Sequence, residues 1–196
     1  MNVQKNNYGH MFFKCRGLFW GVFTAGALIF PANFNLNRLI LGFLFLIVGQ
    51  IVRFWAAGYI PNYRTGVIGA PELVVWGPYK WVRNPLYLGN FVMGVGWASM
   101  LGWTLVIAFA VAFLVLYLLA VIPAEEKFLE SKFGEDYLEY KKNVSSLIPS
   151  TWKPFIKENA QEPSFNGKES WNCEKYSLWM NVFITMAVGL KLYFIK

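Results

Sequence analysis

The chain has 196 residues, 56% of them hydrophobic and 15% charged, with a net charge of +7. Soluble domains usually carry about 25% charged residues, and here the apolar excess falls in blocks, which points to an all-α, polytopic membrane bundle. The positive charge then requires no nucleic acid, because a membrane protein facing anionic headgroups carries such an excess.

In chain order, about five spans are expected. The first runs from about Gly17 to Pro31, behind Lys5, Lys14 and Arg16. Its Ala25-Gly26-Ala27 triplet lies inside the apolar run, whereas a signal-peptide cleavage site should end such a run, so the segment reads as a span. The second runs from about Leu36 to Ile60, with Arg53 near its inner end. Leu86 to Pro123 holds no charged residue. It is too long for one crossing of roughly 20 residues, so it reads as a tight helical hairpin turning at Gly102. About Tyr176 to Leu190 forms a shorter, final apolar segment. Small residues at helical spacing, Gly17, Gly21 and Ala25 on the first span and Gly94, Ala98 and Gly102 on the third, are expected to let helices pack closely.

Between the hairpin and the last segment lies "IPAEEKFLESKFGEDYLEYKKNVSSLIP", with Pro123 ending the fourth span. Leu129, Phe133, Tyr137 and Tyr140 recur at steps of 4, 4 and 3, the stripe of a cytoplasmic amphipathic helix. From about Ser150 to Lys175 the composition turns polar and reads as a linker. Three regions follow: residues 1–61 with the amino-terminal spans, 62–149 with the hairpin and its flanks, and 150–196 with the linker and final segment. The basic segments, with Arg64, Lys80 and Arg83 among them, are expected on the cytoplasmic side. Cys15 and Cys173 fit no metal-site spacing, and His10, the single histidine, gives no basis for His-ligated metal or Ser-His-Asp chemistry. No metal is expected.

Two polar clusters flank the hairpin. The first is "PELVVWGPYKWVRNPLYLG". Pro85 suits the first position of a helix, where its missing N–H would have no partner anyway, which makes Asn84 a candidate helix cap. The second is Glu125-Glu126. If the hairpin closes, both clusters emerge on one face, and Arg83 and the glutamates become neighbours around one pocket. Two plainer readings remain open at this point. Lys80, Arg83 and Tyr87 suit a belt of snorkelling interfacial side chains, and Glu125-Glu126 suits a solvated first helical turn, where acids complement the helix dipole.

Gly77-Pro78-Tyr79, then Arg83-Asn84-Pro85-x-Tyr87-x-Gly89, a hairpin, Glu125-Glu126, Phe133-Gly134-x-x-Tyr137-x-x-Tyr140 and Pro149 together resemble the isoprenylcysteine carboxyl methyltransferase family. Phospholipid N-methyltransferases share the Asn-Pro-x-Tyr-x-Gly and Glu-Glu elements. The resemblance covers about Glu72 to Pro149. It implies an integral membrane methyltransferase that uses S-adenosyl-L-methionine on a lipid or lipidated substrate. The site would face the cytoplasm, from the cytoplasmic membrane or the endoplasmic reticulum. It also implies a cofactor pocket from Leu73, Val74, Tyr79, Asn84, Pro85, Leu86, Tyr87 and Glu125. Arg83 would hold the donor's carboxylate or a lipid phosphate, and Glu126 would serve as base for an amine acceptor.

The chain departs from the carboxyl methyltransferase pattern at Asn84, where that family usually has histidine. It also lacks the arginine expected shortly before the acidic pair, where Ala120 to Ala124 carries no cation. Both departures tilt the acceptor towards a lipid headgroup or another amphiphile. Membrane sterol reductases, which bind a nicotinamide cofactor and are usually longer, and a non-enzymatic membrane scaffold are the alternatives.

Overall fold

The computed structural model describes residues 7–60, 72–157 and 161–194, with side chains from residue 17 onward. The expectations that rest on Lys5, His10, Lys14, Cys15, Arg16 and Arg64 lie outside the described side chains. The described chain is helical, with one isolated parallel bridge, Val82 to Ser145, and no strand among the described residues. The helices are α1 (Asn7–Ile29), α2 (Leu36–Ala57), α3 (Pro85–Leu101), α4 (Trp103–Leu116), α5 (Ile122–Phe133), α6 (Glu135–Asn143) and α7 (Gly167–Phe194).

Three helical stretches are long and apolar enough to cross a membrane: Leu36–Ala57, Trp103–Phe133 and Gly167–Phe194. Gly17–Ile29 is apolar but shorter, and α3 has 17 residues, so the expected five spans are not all reached by this measure. The bundle's outer surface is apolar, with Ile51 60%, Ile107 66%, Leu119 75% and Phe183 70% exposed. Such a surface in water would be an aggregation hazard; against acyl chains it is simply the lipid-facing side.

The hairpin turns where the sequence indicates. Gly102 has φ +156° and joins α3 to α4. The tightest seam, however, runs between α2 and α3. A Cβ on Gly42 would lie 2.7 Å from the Gly96 carbonyl oxygen, and one on Gly96 would lie 2.8 Å from that of Gly42. Gly49 and Gly89 repeat the arrangement at 2.7 and 2.8 Å. Because the obstacle is backbone, no side-chain movement relieves it. The small-residue face expected on α1 makes no such contact, since Gly17 and Gly21 have no heavy atom within 4 Å of an added Cβ. In lipid, close packing is decided by which helix arrives opposite the small residues, and a spacing pattern on one helix does not contain that information.

Three other expectations are revised. Pro123 does not end the fourth span. The helix passes through it by way of a π-helical turn, Tyr117–Val121, in which the Ile122 N–H reaches back to the Tyr117 carbonyl. The widened turn accommodates the proline, which lacks a donor and crowds the preceding carbonyls. The amphipathic helix is two helices broken at Gly134, whose φ of +54° favours glycine. Its stripe survives the break, for Leu129, Phe133, Tyr137 and Tyr140 still share one cluster with Val75 and Val144. Finally, the linker ends earlier than its composition suggests. Asn166 caps α7 by accepting from Glu169 N–H at 3.0 Å, so the polar residues from Gly167 onward are already helical.

Within the bundle, Arg53 of α2 and Glu174 of α7 form a two-pronged ion pair at 2.8 and 2.7 Å, with side chains 9% and 0% exposed. Gln50 donates to Glu174 at 3.2 Å, and Arg53 donates to Asn90 of α3 at 2.6 Å. This network fastens α7 to the α2–α3 pair.

Two stability predictions follow from the packing. Gly49→Ala and Gly96→Ala should each destabilise the detergent-solubilised protein by about 1–3 kcal/mol through overpacking, while Gly21→Ala leaves its thermal midpoint unchanged or slightly higher. Glu174→Ala should cost more, about 3–5 kcal/mol, because it strands a buried guanidinium. Thermal unfolding of the four proteins beside the parent checks the ranking.

Candidate functional site

Why the loop from Glu72 to Asn84 holds its shape is a matter of backbone pairing. Gly77–Lys80 forms a single 3-10 turn entered at φ +55°. The segment after α6 then runs alongside it: Arg83 N–H donates to Ser145 carbonyl at 2.8 Å, Asn84 N–H to Ser146 at 3.0 Å, and Phe155 N–H to the Lys80 carbonyl at 3.0 Å. From the other side, Glu162 accepts from Lys80 Nζ at 2.5 Å and from Gly77 N–H at 3.3 Å. The Lys80 hydrogen bond, with that of Gly77, holds the Glu162 carboxyl below its ordinary range. Glu162 lies in the stretch that composition marks only as linker.

Arg83 is the centre of the site. Its Nε and Nη2 donate to Glu126 Oε1 at 3.1 and 2.5 Å, and its Nη1 donates to the Lys141 carbonyl at 3.1 Å and to the Val144 carbonyl. Its side chain is 11% exposed. The guanidinium therefore does not snorkel towards water; four of its N–H donors are committed to α5 and to the end of α6. Glu126 is engaged at both oxygens, since Lys141 Nζ stands 3.2 Å from Oε2. Glu125, the neighbouring carboxylate, turns the other way and accepts from Tyr87 Oη at 2.8 Å. The Tyr87 ring packs edge-on against Tyr117 at a centroid distance of 4.8 Å, and Tyr117 stacks on Phe113 at 4.1 Å.

The two polar clusters on either side of the hairpin are thus in contact, through Arg83 with Glu126 and Tyr87 with Glu125. The remaining candidates fall in place around them. Pro85 opens α3, as its fixed φ suits. Asn84 occupies the cap position, but its side chain makes no cap hydrogen bond; it donates instead to the Ser146 carbonyl and hydroxyl at 3.3 and 3.1 Å. The Ser146 acceptors, and not the open end of α3, orient the Asn84 carboxamide. Tyr79 is buried, and its carbonyl accepts from Tyr140 Oη at 2.7 Å. Leu73 packs on the Val75–Tyr137–Tyr140 cluster, and Val74 and Leu86 are half-buried.

Tyr137 carries a distinct signal. It is 1% exposed, and its hydroxyl has no hydrogen-bond partner among the described residues. Burial pushes its ionisation upward, the Glu126 charge adds to that, and Arg83 opposes it. The phenol therefore stays protonated and available as a donor beside the Arg83–Glu126 pair. Its helical spacing marks Tyr137 as a packing residue, and nothing in the sequence distinguishes its polar end. Among the described residues no cluster of three or more His, Cys, Asp or Glu side chains gathers to hold a metal ion.

Residues 37–136 match the phospholipid methyltransferase family. The chain is similar to protein-S-isoprenylcysteine O-methyltransferase of Xenopus laevis, 32% identical over 157 residues, covering 74% of this chain and 50% of the relative. It is also similar to methanethiol S-methyltransferase 1 of Bradyrhizobium diazoefficiens, 32% identical over 127 residues (65% of this chain, 39% of the relative). A third relative is the nickel-cobalt-cadmium resistance protein NccN of Alcaligenes xylosoxydans xylosoxydans, 35% identical over 112 residues (57% and 49%). The chain spans about half or less of the length of these curated relatives. No solved structure matches. The matched residues take in α2, the Gly77–Asn84 loop, the hairpin and both glutamates, and by this match over about half its length the chain belongs to the phospholipid methyltransferase family.

Proposed function

We propose that this chain is an integral membrane methyltransferase that transfers a methyl group from S-adenosyl-L-methionine to a membrane-embedded amphiphile, an isoprenylcysteine-type carboxylate or a phospholipid headgroup amine. The observation that carries this reading is the meeting of the two polar clusters across the α3–α4 hairpin, where Tyr87 binds Glu125 and Arg83 binds Glu126. The site lies at the end of the bundle where most of the described lysines fall. Among the described residues, Arg38 and Lys191 are the cations at the opposite end, and this imbalance supports a cytoplasmic site.

The residues suit the donor. S-adenosyl-L-methionine supplies a methyl group on a sulfonium, and it presents an ammonium, a carboxylate and an adenine for recognition. Glu125 takes the ammonium by charge-assisted hydrogen bonds, with its second partner, Tyr87, fixing the carboxylate's direction. The Tyr87 ring offers a face to the sulfonium or the adenine. Leu73, Val74, Pro85 and Leu86 form apolar wall, and Tyr79 and Asn84 hold the loop against α6 and its following segment. The unpartnered Tyr137 hydroxyl supplies a donor for an anionic or hydroxyl group.

Arg83 and Glu126 act chiefly on position. Methyl transfer is an in-line displacement whose main requirement is orientation. An acceptor that arrives as a carboxylate needs no proton removed. An amine does, and Glu126 can accept that proton only by giving up Lys141, whose side chain is 38% exposed and free to move aside.

Calorimetric titration of the purified protein with S-adenosylhomocysteine is expected to show binding. Glu125→Gln and Tyr87→Ala should each weaken it by about 10-fold or more, the worth of a charge-assisted hydrogen bond, with both variants still folded. Equal affinity in both variants would remove the pocket assignment, and binding of a nicotinamide nucleotide instead would turn the reading towards a reductase. Incubation of native lipid extract with methyl-labelled donor is expected to yield a labelled amphiphile.

A further inference from the structure

A partly open cavity of about 270 Å³ lies between the helices and reaches as far as Tyr117, the ring that packs on Tyr87. Four elements wall it: α1 with Trp20 and Thr24, α3 with Asn90 and Ala98, α4 with Phe109, and α7 with Asn181 and Ile184. Its volume is close to the roughly 300 Å³ at which small-molecule pockets begin. From Asn90 to Leu101 it extends about 16 Å along α3. Its lining is almost wholly apolar, and two of its polar groups, Asn90 and Asn181, are tied to the buried ion pair.

Arg53 can only donate and Glu174 can only accept, so together they dictate which way each neighbouring carboxamide faces. Arg53 Nη1 donates to Asn90 Oδ1 at 2.6 Å, which turns the Asn90 amide nitrogen away. Glu174 accepts from Gln50 Nε2 at 3.2 Å, so Gln50 presents its oxygen to Asn181 Nδ2, at 2.5 Å. That leaves the Asn181 oxygen. Both asparagines line the cavity, and among the described residues neither the Asn90 nitrogen nor the Asn181 oxygen has a hydrogen-bond partner. Ser177 and Thr24 add a hydroxyl each to the lining.

We propose that this cavity binds the hydrocarbon chain of a single-chain, uncharged amphiphile, whose hydroxyl group meets Asn90 and Asn181. The charge of the network is already balanced within the Arg53–Glu174 pair. A ligand carboxylate or ammonium would be desolvated with no counter-charge to receive it, which is costly. A neutral hydroxyl fits on both counts, accepting from Asn90 and donating to Asn181. Asn181 and Ile184 belong to α7, outside residues 37–136 that match the family. Binding there requires no methyl donor.

The test uses the full chain in phosphatidylcholine nanodiscs, with decanol carrying a terminal diazirine as the photoreactive probe. Labelling is expected on peptides of α3 and α7 that line the cavity. Decanol should compete about 5-fold better than decane, the worth of one hydrogen bond, and more than about 10-fold better than decanoate at alkaline pH. Thr24→Phe fills the space from α1 and Ile184→Phe fills it from α7; labelling should fall about 10-fold in whichever variant keeps the parent's thermal midpoint. Asn181→Leu should erase the preference of decanol over decane. Label spread over the lipid-facing Trp179 and Phe183 and unchanged by either filled variant would overturn the proposal. So would decanoate competing as well as decanol.

Discussion

A guanidinium taken out of water has to have its donors answered, and at Arg83 the answers come from two other stretches of chain. Glu126 on α5, the carbonyls closing α6 and the loop that carries Arg83 itself are drawn to one point. Backbone pairing and the Val75–Tyr137–Tyr140 cluster also join these stretches, and each stretch is short: α6 has only 9 residues. Neither helix propensity nor apolar burial would fix their mutual position to within a hydrogen-bond length. A buried cation with hydrogen bonds on nearly every donor does so, because each misplaced partner leaves part of a charge unsolvated. The placement of Tyr87 opposite Glu125 follows, since α3 begins two residues after Arg83 and α5 carries both glutamates.

The rest of the bundle works under a different solvent. Between apolar helices in lipid there is no hydrophobic gain to be had from association, and what remains is close backbone approach and polar contact. The α2–α3 pair uses the first, with two glycine pairs pressed carbonyl to α-carbon. The attachment of α7 uses the second, through Arg53, Glu174 and Gln50. These two kinds of contact divide the molecule sensibly. The glycine seam holds rigid the helix from which Tyr87 projects, while the ion pair adds a further helix whose inner face helps enclose a cavity.

How much of this was legible in the residues varies with the kind of cause. The hairpin turn at Gly102, the proline opening α3 and the meeting of the two polar clusters were readable, because each depends on local chemistry or on one simple closure. The family match over residues 37–136 takes in the motifs from Gly77 to Gly134. What escaped was relational. Asn84 looked like a cap because capping is a local rule, but Ser146, more than sixty positions away, claims its side chain. The Gly17 and Gly21 face looked like a packing stripe, yet among the described residues nothing comes within 4 Å of a Cβ added at either. Gly42, Gly49 and Gly96 were each unremarkable in sequence, and Gly89 stood out only as a motif residue, until two helices were laid side by side. Tyr137 was legible as a buried ring and illegible as an unanswered hydroxyl.

The π-helical turn at Tyr117–Val121 has a consequence beyond sparing Pro123. One residue more than a regular helix needs is accommodated there, and each residue of an α-helix advances the side chains by about 100°. Everything from Ile122 onward is therefore rotated as a unit relative to the apolar face of α4. Glu125 and Glu126 are adjacent, so they diverge by that same angle, and only one rotational phase lets the first meet Tyr87 while the second meets Arg83. The turn behaves as a dial set one notch off the regular helix. A homologue could lose a single residue there, keep its hydropathy, length and motif, and deliver both carboxylates to the wrong neighbours.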